Sequence, residues 1–250
     1  MNSPVRLRNQ IALITGGNTG IGRAVALAFA REGADVAIAY IEREPEAASL
    51  VTAIRAEGHQ ALAVHADVTR EADVNRLVST VTGTLGDVDA LVNCAGIQKA
   101  QSLAETTVED WDRMMAVHLR GTFLCCREVA PRMLARRKGR IINVTSQLAY
   151  IGRARYAAYA AAKAGVLALT RALARELAPD VLVNAVAPGL IDTGFDPLPE
   201  AAKEAHAASL PLQRLGTPDD LVGAFILLAS DEGRYFCGQT LHPNGGEIMP

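Results

Sequence analysis

The 250-residue sequence lacks a large excess of charge of either sign. It has 25 Lys and Arg residues against 27 Asp and Glu residues, which gives a formal net charge of −2. This balance excludes the broadly basic surface typical of nucleic-acid-binding proteins and the acidic composition of disordered tails. Aromatic residues make up only 4% of the chain, but half of the chain is apolar, so we expect a sizeable core at this length.

Long apolar runs are also missing. None approaches the roughly 20 residues that a membrane-spanning helix needs. The apolar run near the start, within MNSPVRLRNQIALITGG, stops after four residues, which is too short for the apolar region of a secretory signal. We therefore expect a cytoplasmic protein with no membrane partner.

Cysteine and histidine are sparse and scattered. The four cysteines are Cys94, Cys125, Cys126 and Cys237. Their spacings match neither a zinc site nor a redox CxxC pair, so we expect reduced thiols in the core of a cytosolic protein. The histidines form no HExxH motif or comparable cluster, and the sequence therefore predicts no metal site.

What the sequence does contain is an alternation of short β-rich runs and longer helical runs. The predicted strands are 10–15, 34–40, 61–68, 88–96, 139–146 and 181–189, and the predicted helices are 20–31, 45–57, 71–84, 108–137 and 156–177. Strands that are apolar on both faces and alternate with helices indicate a parallel sheet covered on both sides. We expect one α/β domain over residues 1–250, with a mobile substrate lid at about 190–216; a poorly ordered surface excursion is the alternative.

A glycine-rich turn, TGGNTGIG at 15–22, follows the first predicted strand and opens a helix. Aligned backbone N–H groups at a helix N-terminus attract phosphate, and glycine lets the backbone approach it closely. The turn predicts a dinucleotide site, with a plain β–α turn as the alternative.

The residues after the second and third strands bear on the choice of dinucleotide. The residue that ends the second strand senses the adenosine ribose, and here it is Tyr40 rather than an acidic residue. Arg43 can pair with a 2′-phosphate, although Glu42 beside it opposes this, so we expect NADP(H) to be favoured over NAD(H). Asp67 either accepts a hydrogen bond from the adenine or caps the next helix.

Tyr159 and Lys163 are four residues apart in a predicted helix and therefore share one face. An ammonium group favours a phenolate and lowers the pKa of the phenol toward the range useful for acid–base catalysis. Ser146 ends the fifth predicted strand, thirteen residues before Tyr159, and carboxyl ends of such strands face the ligand crevice. An exposed helix pair is the alternative for the tyrosine and lysine taken alone.

Five motifs occur in the order and spacing of the short-chain dehydrogenase/reductase family: TGGNTGIG, NCAG (93–96), Ser146, YAAAK (159–163) and APG (187–189). The resemblance runs from Gln10 to the closing GQTLHPNGG (238–246), and it is nearest to the 3-oxoacyl-carrier-protein reductase and glucose dehydrogenase branch. It implies a three-layer doubly wound Rossmann fold with a seven-stranded parallel sheet. It also implies NAD(P)(H)-dependent interconversion of a ketone and a secondary alcohol, and a homotetramer.

The resemblance also implies residue roles. Tyr159 is the acid in reduction and the base in oxidation, Lys163 lowers its pKa and holds the nicotinamide ribose, and Ser146 polarises the carbonyl. The implied cofactor-binding residues, together with Tyr40, Arg43, Tyr159 and Lys163, are Gly16, Asn18, Thr19, Gly20, Ile21, Gly22, Asp67, Val68, Asn93, Ala95, Gly96, Pro188, Gly189, Ile191 and Thr193.

Two positions depart from the family pattern. His118 stands where the family has an asparagine that supports a proton relay to the lysine, and Cys94 stands where a second asparagine is common. If the relay uses a backbone carbonyl at a helix distortion, His118 preserves it as a catalytic-site residue, and its imidazole can itself carry protons; otherwise His118 simply packs at the helix surface. Cys94 is predicted to be a packing change.

The predicted substrate pocket is small to medium in size and mixes apolar and polar groups. Its predicted lining, besides the lid, is Leu148, Tyr150, Arg153, Tyr156 and Leu190. Arg153 or Arg155 either meets an anionic substrate or is a solvated loop residue. The alternative function is a cofactor-binding, redox-responsive protein with little turnover. An epimerase or dehydratase would need a longer substrate domain than the chain offers after Gly189.

Overall fold

Apolar runs along the chain form strands that pair side by side in one sheet. The computed structural model describes residues 5–195 and 198–250. The strands in these residues are β1 (Ile11–Thr15), β2 (Asp35–Tyr40), β3 (Ala61–His65), β4 (Ala90–Asn93), β5 (Gly139–Val144), β6 (Val181–Val186) and β7 (Thr240–Leu241). All pairs are parallel, in the order β3-β2-β1-β4-β5-β6-β7. The seven-stranded parallel sheet expected from the resemblance is confirmed.

Helices cover both faces of this sheet. They are α1 (Gly20–Arg31), α2 (Glu44–Ala56), α3 (Glu71–Thr84), α4 (Val108–Met115), α5 (Gly121–Ala135), α6 (Leu148–Ile151), α7 (Ala157–Leu177), α8 (Glu200–Ser209) and α9 (Asp219–Ala229), with a π-helical turn at Ala116–Arg120 and a 3-10 turn at Asp231–Gly233. None of the helices in the described ranges is both long and apolar enough to cross a membrane.

Alternate side chains of each central strand enter different cores, because successive residues of a strand point to opposite faces. Ile14 of β1 packs with α1, α2 and α9 on one face. Its neighbour Leu13 packs with α3, α5 and α7 on the other. Both side chains are fully buried. The three layers of the predicted fold are therefore helices, sheet and helices.

The sheet order reverses between β1 and β4, and this reversal positions the site. The chain runs outward from β1 to β3 and then returns to place β4 on the other side of β1. In parallel sheets a crevice forms at the carboxyl ends of the strands beside such a switch point. The predicted strands at 61–68, 88–96 and 181–189 extend past the observed ends of β3, β4 and β6 because their last residues are loops at this edge.

The helical region predicted over 108–137 is helical from Val108 to Ala135, but it is not α-helical throughout. It consists of α4, the π-helical turn and α5. The π-helical turn inserts one wider turn, a feature often found at functional sites, and it carries His118.

The two ends of segment 190–216 are joined by backbone hydrogen bonds. Asp192 N donates to Gly216 O at 2.8 Å and Gly216 N donates to Leu190 O at 3.2 Å. Between these contacts lies α8, none of whose residues is fully buried. Asp196 and Pro197 of the predicted lid lie outside the described residues, and the lid itself stays a prediction.

Candidate active site

A cleft of about 820 Å³ opens at the carboxyl ends of the central strands. Its lining includes every predicted catalytic and cofactor-binding residue except Asn93. The glycine-rich turn, the loops after β4 and β6, and the start of α7 all meet here. The topology thus brings together residues that lie more than a hundred positions apart in sequence.

The glycine-rich turn is packed so tightly that side chains would not fit. Gly16 adopts φ +64°, and a Cβ on it would lie 2.8 Å from Ala95 Cα. A Cβ on Gly22 would lie 2.2 Å from Gly16 O. Thr19, the residue before α1, makes no side-chain cap among the described residues. The first backbone N–H groups of α1 therefore remain available to phosphate oxygens.

The end of the cleft near β2 is built largely from backbone. Asn18 Nδ2 donates to Glu42 O at 2.8 Å and to Arg43 O at 3.2 Å, which ties the glycine-rich turn to the segment after β2. Arg43 adopts a left-handed backbone with φ +58° at the start of α2. Its guanidinium therefore belongs to the rim of the cleft beside Glu42.

Asp67 shapes the neighbouring loop. Its Oδ1 accepts from Thr69 N at 2.9 Å and from Thr69 Oγ1 at 2.8 Å. The helix α3 begins later, with Arg70 at its N-cap. Asp67 thus orders the turn before α3 rather than capping that helix, and it lines the cleft at the same time.

At the opposite end of the cleft, Tyr159 and Lys163 lie on the same side of α7. Lys163 Nζ is 5.7 Å from the centroid of the Tyr159 ring and donates to Val144 O at 2.7 Å. Only 4% of Lys163 is exposed, and burial lowers the pKa of its ammonium from 10.5 to about 8. Charging a buried amine with one backbone acceptor costs free energy. Nearby charges therefore readily shift the balance between its protonated and neutral forms.

Ser146 lies two residues after the end of β5 and is buried in the same cleft as this pair. Its Oγ accepts a hydrogen bond from Leu148 N at 3.1 Å, which fixes its rotamer. The adjacent Thr145 Oγ1 donates to Lys163 O at 2.8 Å, so β5 and α7 are held together at the level of the site. Ser146 and Tyr159 both line the cleft.

His118 lies in the π-helical turn and is 1% exposed. Its ring stands edge-on to that of Tyr159, with 5.2 Å between centroids. Nε2 is 2.7 Å from Ile97 O, whereas Ile97 N is 3.3 Å from it, so the shorter contact places the proton on Nε2. Burial and the charge of Lys163 hold the pKa of His118 well below its usual range. The imidazole is therefore neutral, and its Nδ1 is a buried acceptor with no partner among the described residues.

A model of the short-chain dehydrogenase/reductase family, described as "Enoyl-(Acyl carrier protein) reductase", matches residues 16–247. The chain belongs to the short-chain dehydrogenase/reductase family. It is therefore an oxidoreductase that acts on CH–OH or C=O groups, and the predicted resemblance is confirmed.

Relatives in this family match the chain over nearly its whole length. It is 40% identical to 3-oxoacyl-(acyl-carrier-protein) reductase FabG of Staphylococcus epidermidis, covering 96% of this chain and 100% of that one. It is also 40% identical to (2S)-((R)-hydroxy(phenyl)methyl)succinyl-CoA dehydrogenase subunit BbsD of Thauera aromatica, covering 97% and 98%. A blue fluorescent protein from a metagenomic library, crystallised with NADPH, has a TM-score of 0.92 and 36% identity, covering 98% and 100%.

In this short-chain dehydrogenase/reductase, the side chain of Asn93 is bound in the core rather than in the lining of the cleft, and its role at the cofactor ribose stays a prediction. Its Nδ2 donates to Asn143 Oδ1 at 2.9 Å and contacts Cys126 Sγ at 3.3 Å. Asn143 in turn donates to Thr170 Oγ1 at 2.9 Å. The asparagine joins β4 to β5 and to the helices behind them, because an inward-facing amide needs buried partners.

The cysteines only partly follow the prediction of core thiols. Cys125 and Cys126 are buried, but Cys237 is exposed, so the prediction is wrong for Cys237. Cys94 is half-buried and lines the cleft. Burial raises the pKa of the Cys94 thiol to about 11, so it stays protonated at neutral pH.

The predicted pocket lining is correct for Leu148, Arg153 and Leu190 and wrong for two tyrosines. Tyr150 packs edge-on against His242, with 4.9 Å between ring centroids. Tyr156 is buried in a small apolar cluster with Leu148 and Tyr159.

Sequence reasoning also missed Gln147 and Arg113, both of which line the cleft. Gln147 directly follows Ser146, so its place after a strand was a usable signal. Arg113 comes from α4 and offered none. In residues 5–195 and 198–250, no group of three or more His, Cys, Asp or Glu side chains is arranged to hold a metal ion.

Proposed function

We propose that this oxidoreductase interconverts a ketone and a secondary alcohol with NADP(H). The proposal rests on one juxtaposition: Lys163 Nζ lies 5.7 Å from the Tyr159 ring in a cleft whose other end is a glycine-rich turn. A buried acid–base pair and a phosphate-binding turn in one cleft fit a carbonyl substrate beside a dinucleotide.

The chain's own residues fit a dinucleotide. The glycine-rich turn lines the cleft in a backbone conformation that packs too tightly for a Cβ on Gly16 or Gly22, and α1 begins directly after this turn. The remaining predicted cofactor residues, apart from Asn93, line the same cleft. When bound, the nicotinamide supplies or accepts the hydride.

Tyr159 and Ser146 act on the substrate oxygen. The Tyr159 hydroxyl donates its proton to that oxygen in reduction and takes it back in oxidation. Ser146 Oγ–H donates a hydrogen bond to the same oxygen and polarises the carbonyl, while its lone pair keeps the bond from Leu148 N. Both residues are held by elements that meet at β5 and α7, so their separation is fixed before substrate binds.

Lys163 favours the phenolate that Tyr159 becomes. With a pKa of about 8, the amine carries its charge at pH 7. In a buried site that charge acts more strongly than it would in water. A lysine this close to the tyrosine thus lowers the cost of proton transfer from it.

His118 holds the loop after β4 through its bond to Ile97 O. Its carbonyl accepts from Thr122 Oγ1 at 2.7 Å, which restrains the π-helical turn. We assign His118 a positioning role, with Nδ1 available to accept a proton-carrying water.

The preference for NADP(H) is supported by Arg43 at the rim and by the NADPH in the structurally similar blue fluorescent protein. The names of the two curated relatives favour an acyl substrate with an oxygen function on the chain. The substrate class can be identified by a screen of ketoesters, sugars, diketones and steroid-like ketones with both cofactors. The readout is the absorbance of the reduced cofactor.

The decisive variant is Tyr159→Phe. Removing the hydroxyl should abolish reduction nearly completely, by the roughly 10²–10⁴-fold that acid–base catalysis contributes, while NADPH still binds. Ala160→Ser on the same helix is the matched control. An active Phe variant would contradict the role of Tyr159. A wild-type protein that binds NADPH but reduces nothing in the screen would favour the cofactor-binding alternative.

We also propose that the protein is a cytoplasmic homotetramer. Apolar side chains on α4 and α5 are exposed in the single chain, including Trp111, Phe123 and Leu134, and exposed apolar surface of this kind favours association. Sedimentation at micromolar concentration tests this, and a monomeric mass would reject it.

A further inference from the structure

Two arginines that follow α6 have different surroundings. Arg155 pairs with Glu105, with 3.2 Å between guanidinium and carboxylate, and does not line the cleft. Arg153 is half-buried and does line it. The guanidinium carbon of Arg153 lies 5.9 Å from the centroid of the Tyr156 ring, three residues before Tyr159. The two neighbouring arginines therefore differ in their surroundings: Arg155 is paired with a carboxylate at the surface, and Arg153 lines the cleft.

Arg153 contacts a histidine of α8, and that histidine lies beside a carboxylate of the C-terminal segment. The NH2 of Arg153 lies 3.4 Å from His206 Nδ1 on α8. His206 Nε2 lies 3.1 Å from Glu247 Oε2 in the C-terminal segment, and Glu247 also accepts from Gln147 Nε2. The imidazole thus separates Arg153 from Glu247, and in the described residues Arg153 forms no ion pair with a carboxylate. The guanidinium of Arg153 therefore contacts a histidine and an aromatic ring rather than a carboxylate.

The two ends of the cleft are lined by different charges. The carboxylates among its described lining residues are Glu42 and Asp67, and both lie at the end near β2 and β3, together with the cation Arg43. The end that contains Ser146 and Tyr159 is lined by the cations Arg113, Arg153 and Lys163, with no carboxylate among the described lining. Leu148 and Leu190 add apolar surface to the lining of the same cleft, and an ion pair beside such surface is less screened than in water.

We propose that Arg153 is a specificity-determining residue that binds an anionic group of the substrate, a carboxylate or a phosphate. A guanidinium presents two parallel N–H donors that match either group. His206 is a positioning residue for Arg153. This inference rests on the proposed function and adds the charge of the substrate to it.

The test compares pairs of 3-oxo compounds that differ in one negative charge, at saturating NADPH. Acetoacetate against methyl acetoacetate probes a carboxylate close to the carbonyl. Acetoacetyl-4′-phosphopantetheine against acetoacetyl-pantetheine probes a phosphate at the end of a long arm. We expect the wild type to favour the anionic member of one pair, and the pair that shows the preference identifies the source of the anion.

Arg153→Gln should lower kcat/KM for that anionic member by about 10- to 100-fold, the size of a charged hydrogen bond. The loss should appear mainly in KM, and the neutral member should change by less than about twofold. Arg155→Gln, the matched control, should leave both unchanged. An equal loss on both members, or no loss on either, would overturn the inference while turnover of the neutral ketone keeps the proposed function intact.

A binding measurement separates the inference from turnover. Malonate and inorganic phosphate are added to the NADPH-bound protein, and the melting temperature is recorded. At least one anion should raise it in the wild type and in Arg155→Gln but not in Arg153→Gln. The same response in all three proteins, or none in the wild type, would contradict an anion site at Arg153.

His206→Gln tests the positioning role. It should raise KM for the preferred anionic compound several-fold and leave kcat and the neutral compound unchanged. If it lowers only the melting temperature and leaves the ratio between the two compounds unaltered, His206 contributes to stability alone and the positioning role is wrong.

Discussion

The two ends of the cleft use different physical means. At the end near β2, the backbone makes the site: glycines allow close approach, and the charged side chains of Glu42 and Arg43 lie at an exposed rim. At the end near α7, side chains make the site, and Lys163, His118 and Ser146 are 4%, 1% and 7% exposed.

This difference determines how strongly a single charge affects its neighbours. Water and salt screen exposed charges, so each contributes little. In the buried end, the charge of Lys163 helps to hold the pKa of His118 well below its usual range. Removing the charge of Lys163 at the buried end should therefore change the rate by orders of magnitude. Substitutions at the rim should change the choice of cofactor and leave the chemistry intact.

The largest effect is expected for Lys163→Met. Reduction should fall by at least about 100-fold, because proton transfer from Tyr159 loses its supporting charge. In the wild type, kcat/KM for reduction should fall as pH rises through about 8, where the amine loses its proton, and this decrease should be absent in the variant. Lys138→Met, an exposed lysine, is the control.

The same variant also tests the cause of the pKa shift. The folded pKa of Lys163, about 8, lies below its ordinary value of 10.5, so between these pH values the unfolded chain binds more protons than the folded one. The free energy of unfolding of the wild type should rise relative to Lys163→Met by about 2 kcal/mol from pH 7 to pH 9.5. A difference that does not change with pH in urea titrations would mean that burial does not lower this pKa.

A smaller loss is expected for Gly22→Ala. Its Cβ would lie 2.2 Å from Gly16 O, so the backbone must shift, at a cost of about 1–3 kcal/mol, and NADPH binding should weaken with it. Gly83→Ala on α3 has open space around its Cβ and should stabilise the protein by roughly 0.5–1 kcal/mol. Calorimetry measures the stability of both variants, and NADPH titration measures their affinity for the cofactor. If Gly22→Ala binds NADPH like the wild type, the glycine-rich turn does not hold the phosphates.

Arg43→Ala should leave the rate with saturating cofactor unchanged. The preference for NADP over NAD should fall by about 1–3 kcal/mol, which is the size of a charged hydrogen bond. Arg31→Ala, a second exposed arginine, removes an equal charge away from the cleft. The measurement is the ratio of kcat/KM for the two cofactors. An unaltered ratio would show that Arg43 does not bind the 2′-phosphate of NADP.

The smallest effect is expected for His118→Asn. An amide can also donate to Ile97 O, so activity should change by less than about tenfold. His118→Leu leaves that buried carbonyl without a donor and should cost more activity and about 1–3 kcal/mol of stability. Because His118 is already neutral, the pH profile of the Asn variant should match that of the wild type near pH 6.5. Equal activity of the Asn and Leu variants would show that the bond to Ile97 is unimportant.

Most of the sheet and much of the site could be predicted from local pattern. The strands from β1 to β6 are apolar runs bounded by turn residues, and their type does not depend on distant contacts. Tyr159 and Lys163 share a face because the helix period requires it. The glycine-rich turn follows its strand directly, so its position at the carboxyl edge is set by its neighbours.

The orientation of individual side chains was harder to predict. Asn93 ends a strand in the same way as Thr15, yet its amide faces Asn143 and Cys126 behind the sheet. Tyr150 was predicted to face the substrate but packs on His242, ninety-two positions away. Such choices depend on partners that come from distant segments.

The sequence by itself determined the α/β class, the parallel sheet, the place of the phosphate-binding turn and the pairing of Tyr159 with Lys163. These depend on hydrophobic period, glycine geometry and helix spacing, all of which act over a few residues. Only the tertiary structure decided that α4 and α5 are separated by a π-helical turn, that His118 is neutral, and that Arg153 rather than Arg155 faces the cleft. The reason is that burial and long-range contacts, which no local pattern records, decide which polar group is paired and which is left for a ligand.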